Sequence, residues 1–300
     1  MSNLFTTPLV TVVIPSYNHE HFIQDCINSI INQNYQNIEL IIIDDGSTDQ
    51  SVKKIEQLIE HCIHRFTRFE FRNRSNKGLC NTLNEALAWA KGDFFSVLAS
   101  DDMIMPDKIS IQVDYLTKNK KCVAVFGGMK FIDNEGEIIG QRVKKYKKFD
   151  FKDILIHRHR LPAPTQLIRK SVFDKTEGFN ENLKIEDWDM WLKLSRFGTL
   201  DYLPQVFSLY RSHEDNTMKK FNLISQERMK IINLYQNSPY YAKAWKRIKM
   251  MDFSYYIDNN DLNNALSVYI EVLKRNPMLV LRFAYIKKLF LIYFKNVNKS

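Results

Sequence analysis

Two pairs of adjacent carboxylates are the residues best suited to chemistry in this chain. Asp44 and Asp45 end the apolar run of "LIIIDDGSTDQ", and Asp101 and Asp102 stand in "SDD" after a second apolar run. Like charges side by side are unfavourable unless solvent, a donor-rich ligand or a cation compensates them. Each pair alone also fits a turn or a helix cap, so the surrounding elements must decide between these readings.

Short β-branched runs alternate with amphipathic segments through the first 120 residues. This pattern predicts a mostly parallel sheet flanked by helices. The predicted strands are Leu9 to Pro15, Ile38 to Ile43, Phe69 to Arg72 and Asp93 to Ala99, and the predicted helices include Gln50 to Ile63, Gly78 to Ala90 and Asp107 to Leu116. "PSYN", "DDGSTD" and "SDD" all follow strand ends, where open parallel sheets bind ligands. Their coincidence favours a ligand site.

The pattern changes after residue 121. We predict a strand at "CVAVFGG", a hairpin over Phe131 to Ile139, a helix over Asp187 to Arg196 and a strand over Val206 to Arg211. From Phe221 the periodicity is helical, with a helical hairpin over Tyr255 to Pro277. Residues 1–215 hold 28 basic and 29 acidic residues, whereas residues 216–300 hold 15 and 5. We therefore predict an α/β domain over 1–216 and a basic, all-helical extension over 217–300.

The absence of two phosphate-binding motifs excludes some classes of ligand site. The sequence has no GxGxxG after its first strand and no P-loop, which counts against dinucleotide and P-loop sites. A phosphorylated ligand on an acidic rim then needs a divalent cation, and hard oxygen ligands favour Mg²⁺ or Mn²⁺. The scattered cysteines lack ligand spacing and predict reduced, buried thiols. No secretory signal or spanning segment is evident, so we expect a cytoplasmic protein.

Four stretches, in order, resemble a family-2 glycosyltransferase with the GT-A fold, of the bacterial surface-polysaccharide type. They are Val10 to Ser51, Asn76 to Ile109, "GFNENLKIEDWDMWLKLSRFG" and "YRSHEDN", within residues 9 to 216. The resemblance implies an inverting, metal-dependent hexosyltransferase that uses a nucleotide-diphosphate sugar, first of all a UDP-sugar. Its expected acceptor is a glycan or a lipid-linked saccharide.

The resemblance also implies roles for individual residues. Asp45 would meet the imide of the nucleotide base, and Asp102 would hold the cation with His213. The remaining residues expected on the nucleotide-sugar side are Pro15, Tyr17, Asn18, Lys77, Asp101 and Arg211. A solvated Lys77 and a structural His213 are the alternatives. Many members carry an Asp where this chain has Ala99, which leaves fewer carboxylates for the cation.

The "IEDWDMW" stretch matches the family motif that supplies the catalytic base. The resemblance assigns Asp187 as the base, because an acceptor hydroxyl must lose its proton as it attacks the anomeric carbon. Glu186 is its partner in the motif, or only a charge at a helix start. Asp189 is interpreted as an acceptor contact or a surface residue. Trp188 and Trp191 fit either sugar stacking or core packing.

Met278 to Phe294 mixes large apolar residues with four basic ones. Such a helix fits an anionic membrane interface at the inner face of the cytoplasmic membrane, or packing on the catalytic domain. Two functions on the same architecture compete with transfer: a non-catalytic sugar-nucleotide or glycan-binding module, and a nucleotidyltransferase. The latter wants a Gly- and Arg-rich loop after the first strand, which "PSYNHEHF" lacks. Nucleic-acid binding is not expected.

Overall fold

The structure is a computed structural model that describes residues 7–213 and 220–275. Its described residues fall into two compact units. The first contains 7–154 and 159–213, and the second contains 155–158 and 220–275. The domain boundary predicted between residues 216 and 217 lies in the segment 214–219, outside the described residues, and remains a prediction.

A ten-stranded sheet forms the centre of the first unit. The strands are β1 Val10–Ser16, β2 Ile38–Asp44, β3 Arg68–Asn73, β4 Phe94–Val97, β5 Met103–Ile104, β6 Cys122–Ile132, β7 Ile138–Arg142, β8 Lys147–Phe149, β9 Leu167–Arg169 and β10 Thr199–Arg211. Their main order is β3-β2-β1-β4-β9-β6-β10-β5, with β7 beside β6 and β8 beside β10. The four strands from β3 to β4 run parallel, as do β6 and β10, whereas β9 is antiparallel to both neighbours. The predicted mostly parallel sheet is confirmed.

Helices connect these strands and cover the sheet. They are α1 Ile23–Ile31, α2 Ser51–Glu56, α3 Ile59–Arg65, α4 Leu79–Trp89, α5 Lys108–Lys118, α6 Phe151–Leu155, α7 Lys170–Phe173 and α8 Glu186–Leu194. Every residue of β2 is buried, which is typical of a strand covered on both faces. The helix predicted over Gln50 to Ile63 is in fact two short helices.

Strand β10 begins seven residues earlier than the sequence predicts. Asp201 and Pro204 hide this part of the strand from a hydrophobicity pattern. The Asp201 side chain is nevertheless buried, and its carboxylate accepts the Tyr115 hydroxyl at 2.7 Å. The local pattern fails here because the hydroxyl that Oδ2 of this carboxylate accepts lies 86 residues away in sequence.

The second unit is helical, with α9 Phe221–Asn233, α10 Tyr241–Asp258 and α11 Leu262–Arg275. The predicted hairpin is present in α10 and α11, but its first helix begins at Tyr241, fourteen residues before the predicted start, and residues 276–277 lie outside the described residues. The two helices enclose Phe253, Ile257, Ala265 and Tyr269. The segment Met278 to Phe294 lies outside the described residues. Among the residues that are described, no helix is long and apolar enough to cross a membrane.

Lys108, the first residue of α5, is fully buried in the first unit. Its ammonium lies 3.0 Å from Ser96 Oγ and 3.1 Å from the Gln166 carbonyl oxygen, both of them neutral partners. Burial lowers the pKa of Lys108 to about 7. The Gln166 carbonyl also accepts the Ser96 hydroxyl at 2.7 Å, so this carbonyl would keep a donor without the lysine.

The folded pKa of Lys108 lies below its ordinary value of 10.5, so the unfolded chain binds more protons above pH 7. The lysine therefore makes the free energy of unfolding rise with pH. Between pH 7 and 9 the wild type should gain about 2 kcal/mol relative to a Lys108→Met variant. Urea unfolding of both proteins at pH 7, 8 and 9 measures this difference. Parallel pH profiles for the two proteins would show that Lys108 is charged in the fold.

Candidate active site

The loops after β1 and β2 are hydrogen-bonded to each other at the sheet edge. The Asn18 amide donates to Ser47 Oγ at 2.9 Å, and the Thr48 amide donates to Asn18 Oδ1 at 2.8 Å. Asn18 has a φ of 51°, in the left-handed region that asparagine tolerates. The His19 amide donates to Ser51 Oγ at 3.0 Å. The first two predicted polar clusters therefore form one rim, with Tyr17 about half exposed on it.

Asp44 holds the turn after β2 together. Its carboxylate accepts the Ser16 hydroxyl at 3.0 Å, the Ser47 amide at 2.8 Å and the Ser47 hydroxyl at 2.6 Å. The side chain is completely buried. Asp44 is thus occupied by the protein itself.

Asp45 also binds protein groups. Its two oxygens accept the amides of Lys77 and Gly78 at 2.8 and 2.9 Å, and its carboxylate pairs with Arg74. Arg74 in turn binds Glu85 Oε2 at 2.8 Å. The observed contacts fix the loop that begins α4, whereas the sequence assigned Asp45 to a nucleotide base. The sequence reasoning missed Arg74.

Lys77 lies on the loop that Asp45 holds, and its side chain is exposed. Within the described residues its ammonium has no ion pair or hydrogen bond. The backbone and the side chain of Lys77 therefore have different roles. Its amide belongs to the Asp45 network, and its side chain extends from a fixed backbone.

Three possible metal ligands meet at the rim: His19, Asp101 and His213. Their ligand atoms all lie within 4.8 Å of one another. His213 Nε2 is 2.9 Å from Asp101 Oδ2, and His19 Nδ1 is 2.7 Å from Ser100 Oγ. Carboxylate oxygen suits Mn²⁺ and Mg²⁺, while imidazole suits transition metals. This donor set therefore fits a divalent cation, and a transition metal such as Mn²⁺ better than Mg²⁺.

The structure groups Asp101 with His213, whereas the sequence assigned that place to Asp102. Asp102 is buried, and its Oδ1 accepts the Arg211 amide at 2.9 Å. Burial and the adjacent Asp101 raise the pKa of Asp102 well above its ordinary value. The sequence reasoning also missed His19. The signal was its position directly after "PSYN", on the predicted rim.

Arg211 lies behind these acids, and its side chain is fully buried. The guanidinium donates to the Asp101 carbonyl (3.1 Å), the Asp133 and Asn134 carbonyls (3.0 and 2.8 Å) and Asp25 Oδ2 (3.1 Å). It also lies 4.6 Å from the centre of the Phe22 ring. The sequence assigned this residue to the nucleotide sugar. The structure instead surrounds its guanidinium with groups of the protein.

Glu186 and Asp187 begin helix α8. Burial, and next the charge of Asp187, raise the pKa of Glu186 to about 8. At neutral pH the pair therefore holds one proton, which belongs to the coupled pair. One carboxylate remains ionised and is able to accept a proton.

The other residues of the "IEDWDMW" stretch anchor α8. Trp188 Nε1 donates to the Ile154 carbonyl at 3.0 Å, and Trp191 Nε1 donates to Gln166 Oε1 at 3.2 Å. Both indoles are buried, so of the two readings core packing is the one observed. Asp189 is buried and pairs with Lys193 at 2.8 Å, so the surface interpretation of Asp189 was wrong.

The loop before α8 is clamped to α4. The Phe179 amide donates to Asn84 Oδ1 at 2.8 Å, and Asn84 Nδ2 donates to the Phe179 carbonyl at 2.9 Å. Gly178 has a φ of 73°, and a Cβ there would lie 2.7 Å from Asn84 Oδ1, so only glycine fits. The clamp fixes the acid pair of α8 relative to the loop that Asp45 holds.

Similar proteins include two bacterial ones. A protein of Haemophilus influenzae called "Uncharacterized glycosyltransferase" is 32% identical over 258 residues, which are 82% of this chain and 78% of that protein. The "Chondroitin synthase" of Escherichia coli is 30% identical over 236 residues, which are 77% of this chain. This chain spans only 33% of that synthase.

Solved structures share the architecture at low identity. "S. aureus TarS 1-349 in complex with UDP-GlcNAc" matches with a TM-score of 0.58 and 17% identity, over 90% of this chain and 92% of that one. "Mannosyltransferase PcManGT from Pyrobaculum calidifontis in complex with GDP-Man and Mn2+" matches with a TM-score of 0.64 and 14% identity, over 98% and 88%. These likenesses concern the fold, and they confirm the predicted GT-A architecture.

Arg211 provides a stability test of the site. Removing one partner of a buried charge cluster leaves the others uncompensated, so Arg211→Met should lower the free energy of unfolding by about 3 to 5 kcal/mol. The exposed Arg160 of the same unit is a matched control, and Arg160→Met should change it by less than about 0.5 kcal/mol. Urea unfolding measures both. Equal effects would show that the rim does not need the guanidinium.

The family model that matches this chain is described as "Glycosyl transferase family 2" and covers residues 11–176. This range holds the first three predicted polar clusters, and it is more than half of the 300 residues. The Haemophilus relative extends the similarity over most of both chains. The chain belongs to glycosyltransferase family 2.

Proposed function

We propose that the protein is an inverting, metal-dependent hexosyltransferase that moves a sugar from a UDP-sugar to a saccharide acceptor. One observation carries this proposal: the histidine and carboxylate cluster of Asp101 and His213 lies on the same sheet edge as the loops after β1 and β2. The UDP-GlcNAc in the TarS complex and the name of the Escherichia coli synthase support the donor and a polysaccharide product.

Asp101, His213 and His19 would hold the divalent cation. When bound, the cation neutralises the charge that develops on the diphosphate leaving group. The Mn²⁺ in the mannosyltransferase complex supports a metal of this kind. Asp102, expected as the ligand, instead keeps its backbone contact to Arg211, and Arg211 positions the acids from behind.

The donor side is built from the paired loops of the rim. Tyr17, half exposed, would stack on the nucleotide base, with Pro15 and Asn18 beside it. Lys77 would reach the ribose or the phosphates with its exposed ammonium. Asp45 would act through the loop it holds, with any base contact added to its three protein contacts.

The acceptor side is the start of α8. The acceptor hydroxyl attacks the anomeric carbon, a new C–O bond forms there, and the bond to the diphosphate breaks with its electron pair on the leaving oxygen. Asp187 takes the hydroxyl proton, while the coupled pair of Glu186 and Asp187 still holds the one proton that it shares at neutral pH. A base opposite the leaving group gives inversion in a single displacement.

We further propose that the acceptor is lipid-linked and that the reaction takes place in the cytoplasm. The basic C-terminal residues then provide one contact with the inner face of the membrane. A non-catalytic binding module would keep donor affinity without turnover. A turnover assay therefore separates the two functions.

The cation assignment predicts that Asp101 contributes more to metal binding than Asp102. Purified protein with Mn²⁺ should release UDP from one member of a UDP-sugar panel, and Asp101→Asn should weaken Mn²⁺ binding at least about 10-fold. Asp102→Asn should weaken it less, because that carboxylate is bonded to the Arg211 amide. Titration calorimetry with the metal alone measures both. Stronger damage from Asp102→Asn would restore the assignment made from the sequence, and no turnover with any donor would refute the enzyme.

The base assignment predicts a separation of binding from chemistry. Asp187→Asn should leave the dissociation constant of the donor unchanged while transfer falls about 10²- to 10⁴-fold. Asp174→Asn makes the same change at an exposed carboxylate directly after α7, and this control should change neither quantity. Fluorescence titration with the donor and a UDP-release assay measure the two quantities. A loss of donor affinity in Asp187→Asn would move this residue to the donor side.

A further inference from the structure

The first unit carries a surface that the transfer reaction does not use. Residues 138–149, here called the basic edge, comprise β7, β8 and the segment between them and contain no acidic residue. Their cations are Arg142, Lys144, Lys145, Lys147 and Lys148, and the four lysines are exposed. Twelve large apolar side chains are exposed in the described part of the chain, and four of them lie in residues 138–146: Ile138, Ile139, Val143 and Tyr146.

The backbone of the basic edge is fixed. Strand β7 pairs antiparallel with β6, and β8 pairs antiparallel with β10. Between them the Lys144 amide donates to the Tyr202 hydroxyl at 2.9 Å, and the hydroxyls of Tyr146 and Tyr115 are 3.0 Å apart. The backbone that carries the exposed side chains is therefore fixed by strand pairing at both ends and by hydrogen bonds in the middle.

The basic edge combines lysines with exposed apolar side chains, and this combination indicates the kind of partner that it binds. Exposed neighbouring isoleucines on an edge strand are unfavourable in water, unless they have a partner to bury them. Lysines attract anionic headgroups, while isoleucine, valine and tyrosine side chains enter the boundary between headgroups and acyl chains. A soluble polyanion would use the lysines and leave the isoleucines exposed. An anionic bilayer uses both.

The basic edge also lies beside the active-site rim. Ile138 pairs with Ile132 in the sheet, and the Ile132 carbonyl accepts the Ser212 amide at 2.8 Å. The next residue is His213 of the metal cluster. Between β6 and β7, the turn carbonyls of Asp133 and Asn134 bind Arg211. The apolar end of the basic edge thus lies beside β6, whose last residue, Ile132, contacts Ser212 next to the site.

We propose that the basic edge docks the first unit on an anionic membrane surface, with the active-site rim next to the bilayer. This inference goes beyond the transfer reaction and rests on it only for the benefit to a lipid-linked acceptor. It adds a contact in the catalytic unit that is separate from the C-terminal residues. The docking itself needs neither donor nor metal.

Vesicle sedimentation of the full chain tests the charges. Wild type should bind phosphatidylcholine vesicles that contain phosphatidylglycerol and not those without it. K144Q/K145Q/K147Q should weaken this binding roughly 100-fold. K53Q/K91Q/K175Q removes three exposed lysines in α2, before β4 and after α7 of the same unit, and should bind like wild type. No binding by wild type, or equal binding by both triple variants, would overturn the proposal.

The apolar contribution has its own matched pair. Ile139 and Ile63 are both 58% exposed, so Ile139→Thr should weaken vesicle binding about 5-fold, while Ile63→Thr should not change it. If Ile139→Thr binds like wild type and the basic edge retains dextran sulfate instead, the surface is a polyanion site and the membrane proposal is wrong. Unchanged thermal unfolding midpoints show that the variants are folded, independently of any UDP release.

Discussion

A single buried guanidinium, that of Arg211, determines how the rim is assembled. Its fork of N–H donors reaches carbonyls of two loops and the carboxylate of α1, while its own amide holds Asp102. Two adjacent buried carboxylates at Asp101 and Asp102 would be costly without such a partner. Strand β10, next to the edge strand β5, ends at this residue and so places one positive charge behind the acids.

The acids of the site divide between holding the protein and facing a ligand. Asp44 and Asp45 are bonded to serine, arginine and backbone groups, so the pair that looks most like a metal site is internal. After β4, Asp102 is internal and Asp101 meets the histidines. Exposure alone does not distinguish these roles, because Asp45 and Asp101 are both nearly buried. Hydrogen-bond partners do.

The sequence was sufficient for the alternation of strands and helices from β1 to β4, for the location of the rim and for the family. These depend on local periodicity and on motifs a few residues long. It was insufficient for the roles of Asp101 and Asp102, because two adjacent aspartates cannot be distinguished by local sequence. They differ through Arg211, more than a hundred positions later, whose amide donates to Asp102. Arg74 and His19 were not predicted as site residues because their partners are also distant in the sequence. The three-residue strand β9 is too short to show any alternation.

Helix α8 and strand β10 form one continuous piece of chain that leaves the rim and returns to it. It begins at Glu186, turns at the far end of the sheet and ends with β10 at Arg211, two residues before His213. Asp187, the proposed proton acceptor, and His213, a proposed ligand of the cation, therefore lie near the two ends of residues 186–213. Exchange of residues 186–213 between members of the family would therefore move both proposed functions together. The turn at residues 195–198, at the opposite end, constrains such an exchange, because a Cβ at Gly198 would clash with the Lys121 carbonyl oxygen.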